Sequence, residues 1–154
     1  MNSLPDWAAQ LGAATDAYKS LVLLLQDEQH CLTHNQPDAL AGLLADKQKA
    51  TLAADAAGNA LNSAFTSLGL ENGPAIAEWL SANRPGLVAP WQQLLEQVRQ
   101  AALLNQCNGK LIDARRQALD TLAYSLAAGQ SDALGYSQQG QLQGGINRHI
   151  ADKA

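Results

Sequence analysis

The sequence predicts an all-α protein, built as an elongated antiparallel helical hairpin or bundle with a long C-terminal helix and a flexible tail. Aromatic residues make up only 5% of the chain, with a single Phe. Alternating runs of β-branched residues are missing, so the chain has little from which to form strands. Apolar residues recur instead at the spacing of a helix face. With 154 residues, 47% of them hydrophobic, the chain is long enough to bury one core.

The first helix is expected over about residues 4–34. Its apolar residues follow a heptad spacing, which predicts one buried face. These residues are Leu11, Ala14, Tyr18, Leu21, Leu25 and Leu32, with Val22 and Leu24 widening the face. Asn35, Gln36 and Pro37 then end the helix.

A second helix is expected to follow at once. Pro37 suits its first turn because proline has no amide hydrogen to lose there, and Asp38 lies near the positive end of the helix dipole. The connection is so short that the two helices must be antiparallel neighbours. The expected contact face is rich in alanine, which allows close approach: Leu40, Leu43, Ala50, Ala54, Ala57, Leu61, Ala64 and Leu68.

A turn cluster at residues 69–74 (GLENGP) separates this hairpin from a short third helix at about residues 74–82. Gly69 is the expected helix C-cap, and Asn72-Gly73 is free to adopt positive φ. The third helix is expected to pack on the hairpin through Ile76, Trp79 and Leu80.

The last helix is expected over about residues 87–127. Its predicted apolar face consists of Leu87, Trp91, Leu94, Val98, Ala101, Ile112, Leu119, Leu122 and Leu126. Residues 129–154 carry five Gly, five Gln and few large apolar groups, too few to offset the entropy lost on ordering. We therefore expect a helical domain over residues 1–128 and a flexible tail over residues 129–154.

Three polar residues continue the apolar face of the last helix: Asn105, Asn108 and Arg115. A buried Asn in a helical seam lowers stability but fixes the alignment of the helices by hydrogen bonding. Alternatively, these side chains contact a partner directly. The sequence leaves both interpretations open.

Charge and cysteine content restrict the class of protein. A net charge of −4 argues against nucleic acid binding, which needs a dense basic face. The N-terminus lacks the basic region of a signal peptide, and the longest leucine-rich run is far shorter than the roughly 20 residues of a membrane span. Cys31 and Cys107 form no disulfide framework. We expect a cytoplasmic protein without membrane insertion.

The sequence resembles the FlgN-type flagellar export chaperones, which serve the hook–filament junction proteins. The resemblance covers nearly the whole chain in loose form. It rests on residues 104–109 (LNQCNG) with Leu111, on residues 117–122 (QALDTL) and on residues 134–141 (LGYSQQGQ). It also includes the spaced pattern Asp38, Ala39, Leu40, Leu43, Leu44 and Lys47.

The resemblance implies a small helical cytoplasmic protein whose C-terminal region binds a helical end of the junction proteins before export. Leu119, Leu122, Leu126 and Leu134 would form the apolar side of that contact, a helix-in-groove mode of recognition. It also implies that Tyr136 helps to dock the chaperone on the cytoplasmic domain of the export gate. The family motif there is similar to Tyr-Gly-x-Asp-Gly-Gln, and this chain keeps Tyr136, Gly140 and Gln141 but has Gln139 in place of the acidic residue.

No catalytic, metal or cofactor site is expected. His30 and His34 are spaced like two metal ligands on a helix, with Cys31 beside them, but no third ligand is evident. Neither histidine is followed by the Lys-Gly of phosphotransfer domains, and no phosphate-binding Gly-rich loop precedes a helix. Two alternatives stay open: a structural or adaptor coiled-coil protein without an export role, and a phosphotransfer-like signalling bundle. The alanine-rich seam fits either a monomer or a homo-oligomer.

Overall fold

A computed structural model of the chain describes residues 6–139, of which residues 131–139 are described by their helical backbone alone. The elements in chain order are α1 (Trp7–Thr33), α2 (Pro37–Thr66), α3 (Gly73–Asn83), a 3₁₀ turn (Pro85–Leu87) and α4 (Val88–Gln139). The described residues contain no β-strand. The predicted all-α fold is therefore confirmed.

Helices α1 and α2 form the predicted antiparallel hairpin. At one end, the ring of Trp7 stacks on the ring of Phe65 with centroids 4.7 Å apart. At the other end, Glu28 accepts a hydrogen bond from Lys47. Residue numbers thus rise along α1 as they fall along the facing part of α2, as three connecting residues require.

The helix ends follow local capping rules. The Asp6 carboxylate accepts the backbone N–H of Ala9 at 3.1 Å, which caps α1. Ser67 is the C-cap of α2, and Gly69, which was predicted as the cap, lies two residues farther along with φ of +75°, in the left-handed conformation that favours glycine. Asn72 and Gly73 do not adopt the positive φ that was open to them. Asn72 is extended (φ −142°) because its side chain caps α3 by accepting the N–H of Ala75 at 2.8 Å.

The core lies between the hairpin, α3 and the first turns of α4. Its larger cluster contains Trp7, Leu11, Ala14, Leu61, Phe65, Ile76, Leu80, Trp91 and Leu94. A smaller cluster farther along the hairpin contains Leu21, Val22, Leu25, Ala54 and Ala101. The predicted packing of α3 through Ile76 and Leu80, with Trp79 partly buried beside them, is confirmed.

Two details differ from the prediction. Leu68 is exposed because α2 ends at Thr66, before this residue is reached, and Phe65 fills the core there instead. The last helix also continues past the predicted end at residue 127 to Gln139. A glycine costs an exposed helix only about 1 kcal/mol relative to alanine, so Gly129 and Gly135 do not suffice to end a helix rich in alanine, leucine and glutamine.

The chain divides into two compact units, Met1–Gly109 and Lys110–Ala154. The helix contacts described above all belong to the first unit. The functional boundary expected between residues 128 and 129 stays a prediction. Within residues 6–139, no helix is both long and apolar enough to cross a membrane.

Candidate functional site

A buried polar cluster joins three helices inside the first unit. Glu28 of α1 is only 2% exposed, and Asn108 of α4 is fully buried. The Asn108 amide nitrogen donates to the backbone carbonyl of Leu25 at 2.8 Å and to Glu28 Oε1 at 2.9 Å. From α2, Lys47 Nζ donates to Glu28 Oε1 and Oε2 at 3.0 and 2.8 Å. The Glu28 carboxylate is thus shared between an ammonium group and an amide.

This geometry agrees with the register-control interpretation of Asn108. Apolar packing tolerates small sliding movements, whereas a buried amide is satisfied only at one alignment of the helices. The side chain of Asn108 has no exposed surface with which to contact a partner in this conformation. Its Oδ1 is buried and has no hydrogen-bond partner among the described residues. A direct partner contact by Asn108 stays an untested prediction.

The other two polar residues of the seam have different surroundings. Asn105 is exposed and lines an open cleft between α2 and α4. Arg115 belongs to the second unit and is half-buried. Of the three residues predicted together, only Asn108 joins the buried cluster, and Asn105 keeps an amide that a partner can reach.

An exposed apolar stripe marks the second unit. Ile112, Leu119, Leu122 and Leu126 are 42%, 60%, 56% and 62% exposed. Their spacings of seven, three and four residues place them on one face of a helix. We refer to these four residues as the α4 stripe. Three of the four exposed side chains are leucines, so hydrophobic burial strongly favours covering the face.

The same apolar spacing has a different outcome in the two units. In the first unit, Leu94 and Ala101 of α4 are buried against α1 and α2. In the second unit, the described residues form one stretch of helix, which offers no neighbouring helix to cover the α4 stripe. The stripe therefore has the character of a face that a further protein segment can cover.

The remaining predicted site residues lie at the edge of the described structure or beyond it. Leu134 and Tyr136 fall within the backbone of α4, where side chains are not described. Gly140 and Gln141 lie outside the described residues. Their predicted contacts with a client and with the export gate stay predictions.

The histidine pair at the end of α1 has a local explanation. The rings of His30 and His34 stack with centroids 4.0 Å apart, and His34 Nδ1 lies 2.9 Å from the His30 carbonyl oxygen. Cys31 is a buried free thiol. Within the part of the chain that the structure describes, no three His, Cys, Asp or Glu residues are placed to hold a metal ion.

Neither the burial of Glu28 nor the contact of Lys47 with it was predicted from the sequence. The spacing of α1 gives a weak indication that Glu28 is buried. Glu28 follows Leu21 by seven residues and therefore occupies an apolar seam position. A charge at such a position is stable only with a partner. The partners come from residues 47 and 108, far along the chain, so spacing alone does not identify them.

These features define a class: a helical scaffold whose described residues include an exposed apolar helix face. The family model described as FlgN protein matches residues 1–144, so the chain belongs to the FlgN family of flagellar export chaperones. A comparison with curated proteins found no match, and neither did a comparison with solved structures. Two of the segments on which the resemblance rests, residues 38–47 and 104–109, lie close together in the fold. Lys47 from the first and Asn108 from the second both bind Glu28.

Proposed function

We propose that this chain is a cytoplasmic type III export chaperone that binds hook–filament junction proteins and delivers them to the flagellar export apparatus. The α4 stripe supports this function, because its four large apolar side chains are each more than two-fifths exposed. Family membership supports a chaperone role, and the α4 stripe is the surface with which the chaperone would bind its client.

The expected client is an amphipathic helix at one end of a junction protein. Its apolar side chains would pack on Leu119, Leu122 and Leu126, as in other helix-in-groove complexes. Full burial of one leucine contributes about 1.5–3 kcal/mol, so a few such contacts give a specific complex. The cost of ordering residues on binding keeps the affinity moderate, which allows release at the export gate.

Residues 129–154 are assigned two tasks in this proposal. Leu134 would extend the apolar contact with the client, and Tyr136 would dock on the cytoplasmic domain of the export gate. Binding and release of a helix need no catalytic group, metal or cofactor. The proposal therefore assigns the protein no enzymatic activity.

A titration with a purified junction protein tests client binding. The full chain and a chain that ends at Gly129 are each titrated calorimetrically with the same client. We expect the full chain to bind and the shorter chain to bind at least about tenfold more weakly, because it lacks Leu134 and the residues around it. Equal affinities would show that the tail takes no part, and an absence of binding by the full chain would favour an adaptor role without export.

Docking on the export gate is tested separately. A complex of the full chain with its client is titrated with the purified cytoplasmic domain of the gate. We expect the variant Tyr136→Ala to lose most of this affinity while its affinity for the client stays unchanged. The matched control is Tyr124→Ala, which removes another tyrosine of α4 that is 50% exposed. Equal gate binding by both variants would remove Tyr136 from the proposal.

A further inference from the structure

Two asparagines of this chain are followed directly by glycine: Asn72 precedes Gly73, and Asn108 precedes Gly109. In such a pair, the backbone nitrogen of the glycine can attack the side-chain amide carbon of the asparagine, because glycine has no side chain to hinder the approach. The attack expels ammonia and closes a succinimide ring, which water then opens to aspartate or isoaspartate. The two pairs have opposite surroundings in the structure, so they are expected to react at very different rates.

The first pair lies at the exposed start of α3. Asn72 and Gly73 are both exposed, and a Cβ added at Gly73 would meet no atom of the described residues within 4 Å. Gly73 is the first residue of α3, where a backbone N–H has no partner within the helix. The positive end of the helix dipole lies here too, and it favours the negative charge that the attacking nitrogen acquires.

A hydrogen bond holds Asn72 back from this reaction. Its side-chain oxygen accepts the backbone N–H of Ala75 at 2.8 Å, and its backbone ψ is 160°. Ring closure requires the side chain to release this cap and ψ to rotate. The Asn72 carbonyl can keep its bond from the Ile76 N–H at 3.1 Å, because the exposed Glu71 can take up the rotation. Loss of an N-cap changes an equilibrium by about fivefold, so the cap slows the reaction by about that factor.

The second pair is enclosed by packed helices. Asn108 is fully buried, and its amide nitrogen donates to the Leu25 carbonyl and to Glu28. That nitrogen is the atom that leaves as ammonia, so both hydrogen bonds must break before the ring closes. Gly109 lies inside α4, where its own N–H is engaged in the helix. The reaction would require local unfolding where α1 and α4 meet, which is far rarer than the release of an exposed cap.

We propose that Asn72 is a site of spontaneous deamidation in the folded protein and that Asn108 is protected from it. The nitrogen of Gly73 loses its proton and forms a bond to Asn72 Cγ, while the Cγ–Nδ2 bond breaks and ammonia leaves with that proton. One water molecule then opens the ring. Water that breaks the new Cγ–N bond gives aspartate, and water that breaks the original backbone C–N bond gives isoaspartate.

The two products differ in their effect on α3. Aspartate keeps a side-chain oxygen at the N-cap and adds a negative charge at the positive end of the helix, which is favourable. Isoaspartate adds a methylene group to the backbone, so the chain enters α3 without that cap. Because α3 supplies Ile76 and Leu80 to the larger core cluster, the isoaspartate form should be less stable.

Peptide mapping by mass spectrometry tests the proposal. The full chain and a synthetic peptide of residues 69–76 are incubated at the same mildly alkaline pH, and the conversion of asparagine is followed over time. We expect Asn72 of the chain to convert about fivefold more slowly than Asn72 of the peptide, with no conversion at Asn108 over the same period. A rate at Asn72 more than about fiftyfold below that of the peptide, or equal rates at the two asparagines, would overturn the proposal.

A variant of the attacking residue tests the chemistry. Gly73→Ala adds a methyl group for which the structure has space, so the fold is kept, but the methyl group hinders attack by the nitrogen. We expect conversion at Asn72 to slow at least about tenfold. The matched control is Gly42→Ala, which adds the same group at another open helical position and should leave the rate unchanged. Equal rates in the two variants would contradict ring closure through the Gly73 nitrogen.

Thermal unfolding of the two separated products tests the consequence for α3. The aspartate form, which Asn72→Asp reproduces, should unfold at the same temperature as the unchanged chain or at a higher one. The isoaspartate form should unfold about 2–6 °C lower, because it lacks the cap. Equal midpoints for the two forms would contradict the loss of the cap.

Discussion

The side chain of Asn108 donates a hydrogen bond to the carboxylate of Glu28 at 2.9 Å, joining α4 to α1 across eighty residues of chain. Lys47 binds the same carboxylate from α2. Three helices are thereby fixed at one point by contacts that only one alignment satisfies. Such a cluster specifies the arrangement of the bundle more than it stabilises it, because burying charged groups carries a large desolvation cost.

Removing one member of this cluster should destabilise the fold. Lys47→Met leaves the buried Glu28 carboxylate without its cation, so we expect the free energy of unfolding to fall by about 1–3 kcal/mol. Urea unfolding followed by circular dichroism measures the change. Lys49→Met, which changes an exposed lysine of the same helix, is the matched control and should change stability by less than about 0.5 kcal/mol.

A double variant then tests the cause. Glu28→Gln removes the charge that Lys47 compensates while keeping an oxygen acceptor for Asn108. The combination of Glu28→Gln with Lys47→Met should recover most of the lost stability. If the two losses simply add, the Glu28–Lys47 pair is not the reason for the destabilisation.

The helical class and the borders of the first three helices were predictable from the sequence because they depend on local information. Apolar spacing, the proline at the start of α2 and the glycine after its end each act within a few residues. The burial of Phe65 in place of Leu68 was not predicted, because α2 ends at Thr66, two residues before Leu68. The sequence does not predict where α4 ends, because the cost of about 1 kcal/mol for each glycine is too small to stop the helix.

Gly12 and Gly58 differ in the space available for an added side chain, because Gly58 lies where α1 and α2 approach closely and Gly12 does not. A Cβ added at Gly12 meets no atom within 4 Å, whereas one added at Gly58 lies 3.3 Å from the Tyr18 hydroxyl oxygen. Gly12→Ala should therefore raise the free energy of unfolding by about 0.5–1 kcal/mol through helix propensity. Gly58→Ala should gain less or nothing. Equal gains in thermal unfolding would show that Tyr18 moves aside freely.

Tyr18 should also make stability depend on pH in the alkaline range. Burial, and secondly the negative charge of Asp55, raise the pKa of Tyr18 above its ordinary value of 10.0. The unfolded chain therefore releases this proton first, so the contribution is complete below about pH 10 and is lost as the pH rises through the raised pKa. Urea unfolding at several alkaline pH values should show a steeper loss for the unchanged chain than for Tyr18→Phe. Identical slopes would contradict the raised pKa.

The candidate site was predicted in part. The apolar spacing of Leu119, Leu122 and Leu126 indicated one helix face, and the structure shows that these side chains are exposed. Their exposure did not follow from the pattern, because Leu94 and Ala101 have the same spacing and are buried. What separates them is the presence of neighbouring helices, a tertiary property that a single helix does not encode.

Binding of the client by the α4 stripe is tested by comparing three proteins. A purified junction protein is titrated calorimetrically into the unchanged chain, into Leu119→Ser with Leu122→Ser, and into the control Leu23→Ser with Leu52→Ser, whose leucines are 62% and 64% exposed. We expect the stripe variant to bind at least about tenfold more weakly and the control to bind like the unchanged chain. Equal binding by all three proteins would contradict the assignment of the client site to the α4 stripe.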